Sequence, residues 1–292
     1  MNNMPLITVG IPIHNASHYI ERAVLSIVKQ TYLNWMCIIV DDGSSDNGIK
    51  LIQNMTKLDS RFSILTDSEN EGLSYRLNQI STMCTTKYLA RMDADDIMHP
   101  DRLSTQLKYL QDHPEMDVVG TEAYTIDTTN VVHGYKSAPT GFDTRSAIQG
   151  ALFIHPSIMG RTEWFKNNPY DVSANRSEDY ELWLRTAETS NFDNIREPLM
   201  FYREVGLRHA TKYSATSDGI LLTLEKYLRV APPELIDAVH KKIKDVKNKK
   251  RIFNLASRLG FEKQLIARRS GIMTPEALLE AQSILARAIG KI

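Results

Sequence analysis

Short apolar runs alternate with amphipathic segments through the first 120 residues of the chain. Apolar and β-branched residues dominate the runs 6–12, 36–40, 62–65, 88–92 and 117–119, and lengths of three to seven residues are typical of buried strands. Such runs, apolar on both faces and separated by helices, are characteristic of a mostly parallel sheet covered on both sides. The pattern therefore predicts an α/β fold.

The segments between these runs carry apolar residues three and four positions apart, which predicts helices. The first helix follows Ser17, the second contains Ile49, Ile52 and Met55, and the third covers 72–83. A fourth is predicted over 100–110 with Pro100 as its first residue, a position where the missing N–H is tolerated.

The pattern loosens after residue 120 and becomes helical near the end of the chain. A hairpin is predicted near 128–130 and a loop around 139–141. Helices are predicted over 221–230, along the heptad-spaced apolar stripe of 236–253, and from Thr274-Pro275 onward. We therefore divide the chain into a domain of residues 1–217, with halves 1–119 and 120–217, and a helical C-terminal extension of residues 218–292.

Charge is distributed unevenly along the chain. Its 35 Lys and Arg balance 35 Asp and Glu, yet residues 241–292 contain thirteen basic and four acidic residues, so residues 1–240 carry a net charge of −9. The seven basic residues of 241–251 lie mainly opposite the apolar stripe, which fits a solvated helix face or a contact with anionic membrane. Interleaved aromatic residues are absent from this tail, so we expect no nucleic acid partner.

The cysteine content and the N-terminal residues indicate the compartment. Cys37 and Cys84 are the two cysteines, too few for a disulfide scaffold and compatible with a reducing cytosol. The sequence shows no signal-peptide pattern after Met1 and no run of about 18 apolar residues. We expect a cytoplasmic protein that binds peripherally to the inner face of the plasma membrane.

Carboxylates follow two of the predicted strands. Asp41 and Asp42 come after one strand, and Asp93, Asp95 and Asp96 come after another. Ligands of open α/β sheets bind at the carboxyl ends of strands. Residues two apart in an extended segment point the same way, so Asp93 and Asp95 are expected to face one ligand while Asp96 faces elsewhere or caps a helix. Oxygen donors of this kind suit Mg²⁺ or Mn²⁺ bound to phosphates.

Four short motifs together resemble the inverting glycosyltransferases of family 2, which have the GT-A fold. They are Pro12-Ile13-His14-Asn15, Val40-Asp41-Asp42-Gly43-Ser44-Ser45-Asp46, Asn70-Glu71-Gly72-Leu73 and Met92-Asp93-Ala94-Asp95-Asp96. The resemblance spans most of residues 5–100. It implies a GT-A sheet in which 1–119 binds a nucleotide-sugar and 120–217 builds the acceptor side.

The resemblance also implies roles for single residues of the first half. Pro12 and Asn15 would pack around the nucleotide, and Asp42 would accept a hydrogen bond from the uracil ring. Arg76 would contact the base, although its helical position equally fits a solvated charge. In the carboxylate cluster, Asp93 would bind the ribose and Asp95 would be the direct ligand of Mn²⁺ or Mg²⁺.

A second acidic cluster, Glu178-Asp179, opens an amphipathic segment of the acceptor half. Acidic residues there also suit the positive end of a helix dipole. The resemblance implies instead that Asp179 is the catalytic base and that Glu178 faces the donor substrate. His209 follows Tyr202-Arg203 and would lie near the metal, although at a longer spacing than is usual in the family.

The function implied is transfer of one sugar from a UDP-sugar, with inversion, to a hydroxyl of a glycan or lipid-linked acceptor in cell-surface polysaccharide synthesis. The Gln-x-x-Arg-Trp motif of processive relatives is absent. So are the Gly-x-Gly-x-x-Gly and P-loop motifs of dehydrogenases and NTPases. The remaining alternatives are a sugar nucleotidyltransferase, which would need a Gly-rich loop, and a catalytically silent sugar-binding protein. The latter would lack a residue such as Asp95 or Asp179.

Overall fold

The computed structural model describes residues 5–174, 176–204, 209–259 and 271–290, without the side chains of 209–212. Nine strands within these ranges form one sheet in the order β3-β2-β1-β4-β8-β6-β9-β5, with β7 paired to β6. They are β1 (Ile7–Ile13), β2 (Trp35–Asp41), β3 (Phe62–Leu65), β4 (Tyr88–Arg91), β5 (Ile97–Met98), β6 (Val118–Ile126), β7 (Val132–Lys136), β8 (Met159–Arg161) and β9 (Phe192–Arg203).

Ten helices surround this sheet in the described part of the chain. They are α1 (Ile20–Val28), α2 (Gly48–Thr56), α3 (Leu73–Met83), α4 (Arg102–Asp112), α5 (Thr144–Gln149), α6 (Thr162–Asn167), α7 (Glu178–Thr186), α8 (His209–Tyr227), α9 (Pro233–Arg258) and α10 (Pro275–Ile289). None of the helices in the described ranges is both long and apolar enough to cross a bilayer.

The first half of the sheet is parallel, as the alternation of strands and helices predicts. Strands β3, β2, β1 and β4 run side by side in the same direction, with Ile13 opposite Asp41 and Gly10 opposite Arg91. Beyond β4 the sheet becomes mixed, because β8 is antiparallel to both β4 and β6 whereas β6 and β9 are parallel. The carboxyl ends of β1, β2 and β4 therefore lie along one edge. The α/β fold class is confirmed.

One helix start differs from the sequence prediction. Helix α4 begins at Arg102, and Pro100 precedes it by two residues. The carbonyl oxygen of Pro100 accepts hydrogen bonds from the backbone N–H of Thr31 at 2.9 Å and from its hydroxyl at 3.2 Å. Pro100 is therefore held in a loop against the end of α1, and the prediction that it opens the helix is wrong.

Two of the C-terminal helices share a core with residues 120–217. Leu224 of α8 and Leu235 and Val239 of α9 belong to the buried cluster that contains Trp183 of α7. Helix α8 is continuous across the division between residues 217 and 218. The domain boundary at this position remains a prediction.

Candidate active site

The loops after β1, β2 and β4 meet at the carboxyl edge of the parallel strands. The backbone N–H of Asp42 donates to the carbonyl of Ile13 at 2.8 Å, and that of Met92 donates to the carbonyl of Gly10 at 3.1 Å. His14 adds a further link, since its Nδ1 lies 2.8 Å from the carbonyl oxygen of Asp42. The three motif loops therefore form one continuous surface.

Asn15 joins the first two of these loops, whereas Pro12 is buried within β1. The Asn15 side-chain oxygen accepts from the N–H of Ser45 at 2.8 Å, and its own N–H donates to the hydroxyl of Ser44 at 3.0 Å. Its φ of 50° lies in the left-handed region, which Asn adopts more readily than most residues. Asn15 shapes the exposed rim, and contact of either residue with a nucleotide remains a prediction.

The buried carboxylate of Asp42 organises the third motif. Its Oδ1 accepts from the N–H of Glu71 at 2.8 Å, and its Oδ2 accepts from the N–H of Gly72 at 3.1 Å. Gly72 has a φ of 89°, a conformation that L side chains rarely adopt, and it immediately precedes α3. Asp42 thus fixes the loop that begins α3, and its contact with uracil remains a prediction.

Arg76 of α3 is fully buried and forms ion pairs with two acids. Its Nε donates to Asp42 at 2.8 Å, its Nη1 to Asp67 at 2.9 Å, and its Nη2 to the carbonyl of Glu69 at 2.6 Å. The alternative of a solvated helix charge is wrong, because the guanidinium has no exposure. In this arrangement Arg76 holds the loop before α3 through Asp42 and the Glu69 carbonyl, and a direct contact with a nucleotide base remains a prediction.

Three carboxylates converge after β4. Asp93, Asp95 and Asp96 each offer one oxygen within 4.8 Å of the others, a spacing that can hold a cation. The expectation that Asp96 faces away is wrong, because residues 94 and 95 form a turn and the Asp96 N–H approaches the Asp93 carbonyl at 3.4 Å. The turn replaces the extended geometry assumed for this segment and brings the third carboxylate round to the other two.

Electrostatics at this turn favour a bound cation. Burial and the neighbouring Asp93 charge raise the pKa of Asp95 to about 6. Burial and the charges of Asp95 and Asp93 raise the pKa of Asp96 well above its ordinary value. Its Oδ2 is buried and lacks a hydrogen-bond partner among the described residues. Mg²⁺ and Mn²⁺ bind carboxylate oxygens, and a bound cation would offset the repulsion among these three carboxylates. The residues present therefore fit such an ion.

Two buried arginines that sequence reasoning missed hold this turn. Arg91 is 5 % exposed and its Nη2 donates to Oδ1 of Asp93 at 2.7 Å. Arg203, at the end of β9, donates from Nε to the carbonyl of Asp95 at 2.6 Å and from its backbone N–H to Oδ1 of Asp96 at 2.8 Å. The one sequence signal for Arg91 is a charge within an apolar strand, where an unpaired cation would be costly.

The predicted base lies at the start of α7, in an open cleft of about 710 Å³. Glu178 and Asp179 line this cleft together with residues 70–74, which lead into α3, and with Thr216 of α8. Arg176 precedes the helix with a φ of 59°, which turns the chain so that α7 begins at the cleft. The cleft therefore lies between the third motif, in residues 1–119, and the acidic pair, in residues 120–217.

Burial is the main reason that the pKa of Asp179 is raised, with a smaller contribution from the Asp93 charge. The hydrogen bond from the Tyr180 N–H at 2.7 Å and the Arg91 charge oppose this increase. For Glu178, burial comes first and the Asp179 charge second. The like-charge effect between these two residues therefore acts mainly on Glu178. A desolvated carboxyl with a raised pKa is suited to accepting a proton.

His209 is the first residue of α8, but its side chain lies outside the described residues, so its place near the metal remains a prediction.

Comparison with known proteins identifies the family. The sequence model described as "Glycosyl transferase family 2" matches residues 8–177. The protein EpsE of Bacillus subtilis is 28 % identical over 270 residues, covering 87 % of this chain and 97 % of EpsE. The UDP-Glc:α-D-GlcNAc-diphosphoundecaprenol β-1,3-glucosyltransferase WfgD of Escherichia coli is 28 % identical over 194 residues, covering 65 % of this chain and 73 % of WfgD.

Solved structures show the same fold at low identity. Residues 1–349 of TarS from S. aureus, in complex with UDP-GlcNAc, align with a TM-score of 0.63 at 14 % identity, covering 97 % of this chain and 81 % of that one. The mannosyltransferase PcManGT of Pyrobaculum calidifontis, in complex with GDP-Man and Mn²⁺, aligns with a TM-score of 0.60 at 16 % identity, covering 98 % and 86 %. With four motifs gathered at one sheet edge and a family match over more than half its length, the chain belongs to glycosyl transferase family 2.

Proposed function

We propose that this enzyme transfers a single sugar from a UDP-sugar to a hydroxyl of a glycan or lipid-linked acceptor, with inversion, in cell-surface polysaccharide synthesis. The observation that carries the proposal is the presence of two separate acidic clusters. One is the carboxylate turn at Asp93–Asp96, and the other is Glu178-Asp179 at the cleft. WfgD, a relative, is named for a UDP-glucose donor and a diphosphoundecaprenol-linked acceptor, which supports both substrate classes.

In the proposed site Asp95 would be the direct ligand of Mn²⁺ or Mg²⁺, with Asp96 beside it, and Asp93 would bind the ribose. A divalent ion bound there would stabilise the negative charge that develops on the departing diphosphate. Mn²⁺ is present in the PcManGT complex, which supports the choice of ion. Arg91 and Arg203 keep the carboxylates in place through the hydrogen bonds described above.

Asp179 is the proposed general base. Its carboxylate takes the proton of the acceptor hydroxyl as that oxygen forms a bond to the anomeric carbon, and the bond from this carbon to the diphosphate oxygen breaks with its electron pair leaving on UDP. Because attack comes from the face opposite the leaving group, the configuration inverts. One carboxylate is sufficient for this step, and placed bases are typically worth about 10² to 10⁴ in rate.

A catalytically silent sugar-binding protein is the second candidate, and the structure supplies an observation against it. Asp95 and Asp179, the two residues such a protein would be expected to lack, are both present, Asp95 in the carboxylate turn and Asp179 at the cleft. A sugar nucleotidyltransferase lacks support from the family match.

The location proposed is the cytoplasm, with α9 in peripheral contact with the inner face of the plasma membrane. Lys241, Lys244 and Lys247 are exposed on α9, and Ile252 and Leu255 are each 60 % exposed on the same helix. A basic helix that also exposes apolar side chains suits the surface of an anionic bilayer.

A panel of nucleotide-sugars tests the proposed function. We expect slow, metal-dependent hydrolysis of one UDP-sugar without acceptor, and EDTA should abolish it. Transfer to a synthetic acceptor should yield one anomer of inverted configuration, as read by NMR coupling constants. Retained configuration, or turnover unaffected by EDTA, would contradict the mechanism, and binding without turnover of any donor would favour the silent protein.

A further inference from the structure

The C-terminal helix α10 is connected to the carboxylate turn by a continuous series of hydrogen bonds. On α10, Oε1 of Gln282 accepts from the N–H of Val132 at 2.9 Å, and its Nε2 donates to the carbonyl of Asn130 at 3.1 Å. Both partners belong to the end of the hairpin between β6 and β7. A single side chain of the extension therefore holds this hairpin end through two bonds.

Asn130 carries the connection across the hairpin. It is 7 % exposed and has a φ of 67°, in the left-handed region that Asn tolerates better than most residues. In this conformation its Oδ1 accepts from Nη2 of Arg203 at 2.7 Å, while the carbonyl of Asp127 accepts from Nη1. The hairpin end thereby fixes two of the three guanidinium nitrogens.

Arg203 completes the series at the carboxylate turn. Its Nε donates to the carbonyl of Asp95 at 2.6 Å, and its backbone N–H donates to Oδ1 of Asp96 at 2.8 Å. Neither bond uses Oδ2 of Asp96, which is the buried oxygen without a partner in the described ranges. Arg203 can therefore hold the turn without occupying the oxygen that remains for a cation.

Apolar packing places α10 against the same two strands. Leu285 and Ala288 have no exposure and pack in one cluster with Ile97 of β5 and Phe201 of β9. Strand β5 follows Asp96 directly, and β9 ends at Arg203. This packing fixes the position of α10, from which Gln282 reaches the end of the hairpin.

We propose that Gln282 is a positioning residue for the metal-binding carboxylates, acting through Asn130 and Arg203, and that α10 is a structural part of the active site. The proposal rests on the metal site of the proposed function and gives the C-terminal extension a role in it. Groups that orient metal ligands directly are typically worth about 10- to 100-fold in metal affinity. Gln282 acts through two intervening residues, so we expect its loss to weaken metal affinity by about three- to tenfold.

The test is direct titration of the full chain with Mn²⁺, followed by calorimetry and by the EPR signal of free Mn²⁺. Gln282→Leu, which keeps a similar volume and removes both hydrogen bonds, should raise the Kd for Mn²⁺ by about three- to tenfold. Asn130→Gly, which retains access to the φ of 67°, should raise it comparably. The double variant should be no worse than either single variant, because residues in one network are not additive.

Two variants of α10 serve as controls. Leu285→Ala leaves the hydrogen-bond series intact and creates a cavity, so it should lower the melting temperature at least as much as Gln282→Leu with the Kd within twofold of wild type. Ser283→Ala, at an exposed position, should change neither.

The outcomes separate this proposal from the proposed function. Wild-type affinity for Mn²⁺ in Gln282→Leu would overturn the positioning role alone, and so would an equal loss of affinity in Leu285→Ala, since α10 would then act only through general stability. A wild-type chain that binds no Mn²⁺ would overturn the metal site itself, and this proposal with it.

Discussion

Arg91 and Asp93 form an ion pair with 2.7 Å between Nη2 and Oδ1, and the Arg91 charge reaches both acidic groups of the site. Burial raises the pKa values of Asp95, Asp96 and Asp179, and in each case the positive charge of Arg91 opposes that increase. The positive charge of Arg91 therefore acts both on the turn that would hold the metal and on the carboxylate that would accept the proton.

Replacing Arg91 should lower the free energy of unfolding, because its side chain is 5 % exposed and that of its partner Asp93 is 29 % exposed. Breaking a buried pair from one side typically costs about 3 to 5 kcal/mol, and partial exposure of Asp93 reduces the expected loss for Arg91→Met to about 2 to 3 kcal/mol. Lys108→Met breaks an ion pair that is exposed on α4 and should cost less than about 1 kcal/mol. Urea unfolding measures both, and equal effects would contradict the structural role of Arg91.

Asp95→Ala should abolish the metal dependence of UDP binding while the chain stays folded. The carboxylate lies in a loop, and burial and the neighbouring Asp93 charge both disfavour its ionised form. Its removal should therefore not lower the stability of the fold. Calorimetric titration with UDP, with and without EDTA, provides the measurement. Asp112→Ala, a surface carboxylate of α4, is the control and should retain metal dependence. UDP affinity in wild type that is the same in EDTA and in Mn²⁺ would refute the assignment.

Metal affinity should depend on pH because the pKa of Asp95 is raised from 3.8 to about 6. A cation binds the ionised carboxylate, so the Kd for Mn²⁺ should rise below pH 6, approaching about tenfold per pH unit, and level off above pH 7. Titrations at pH 5, 6, 7 and 8 test this directly. A constant Kd over that interval would show that protons do not compete for the site.

The same shift has the opposite consequence for folding without metal. Between pH 3.8 and about 6 the folded chain binds a proton at Asp95 that the unfolded chain lacks, so the stabilising contribution is greatest at low pH and is lost as the pH rises through 6. Relative to Asp95→Asn, which cannot ionise, the metal-free wild type should lose melting temperature between pH 5 and pH 7. Parallel melting curves for the two proteins would count against the shift.

Asp179→Asn should lower turnover by about 10² to 10⁴ while donor binding survives, because an amide cannot take the acceptor proton. Glu181→Gln is the matched control on the same helix, where Glu181 pairs with Arg185 at 2.7 Å, and it should change turnover little. Rates come from release of UDP in the presence of acceptor. Near-normal transfer by Asp179→Asn would exclude it as the base.

Membrane binding should depend on the basic face of α9. Each Lys near an anionic surface contributes about 1 kcal/mol, so Lys241→Glu, Lys244→Glu and Lys247→Glu together should abolish binding to anionic vesicles, and salt should weaken it in wild type.

The matched control places three charge reversals elsewhere on the surface, at the exposed Lys50, Lys57 and Lys108. This control should bind like wild type in co-sedimentation. Equal binding to neutral and anionic vesicles at low salt would rule out the electrostatic mode.

The sequence predicts the order of strands and helices in the first half except for the two-residue strand β5, because apolar runs and helical spacing report local burial. The strand 62–65 was predicted with the bounds that the structure gives it. The four motifs also identified the family and the edge at which the site lies, since the carboxyl ends of parallel strands must meet there.

The partners and the burial of the charged residues follow only from the tertiary structure. Sequence spacing left Arg76 open between a nucleotide contact and a solvated charge, yet packing buries it completely between Asp42 and Asp67. Asp96 joins the other carboxylates because a turn, not an extended segment, follows β4. The connection from Gln282 to Arg203 joins residues 79 positions apart along the chain, and such contacts depend on how α10 packs against the sheet and leave no periodic signal in the sequence.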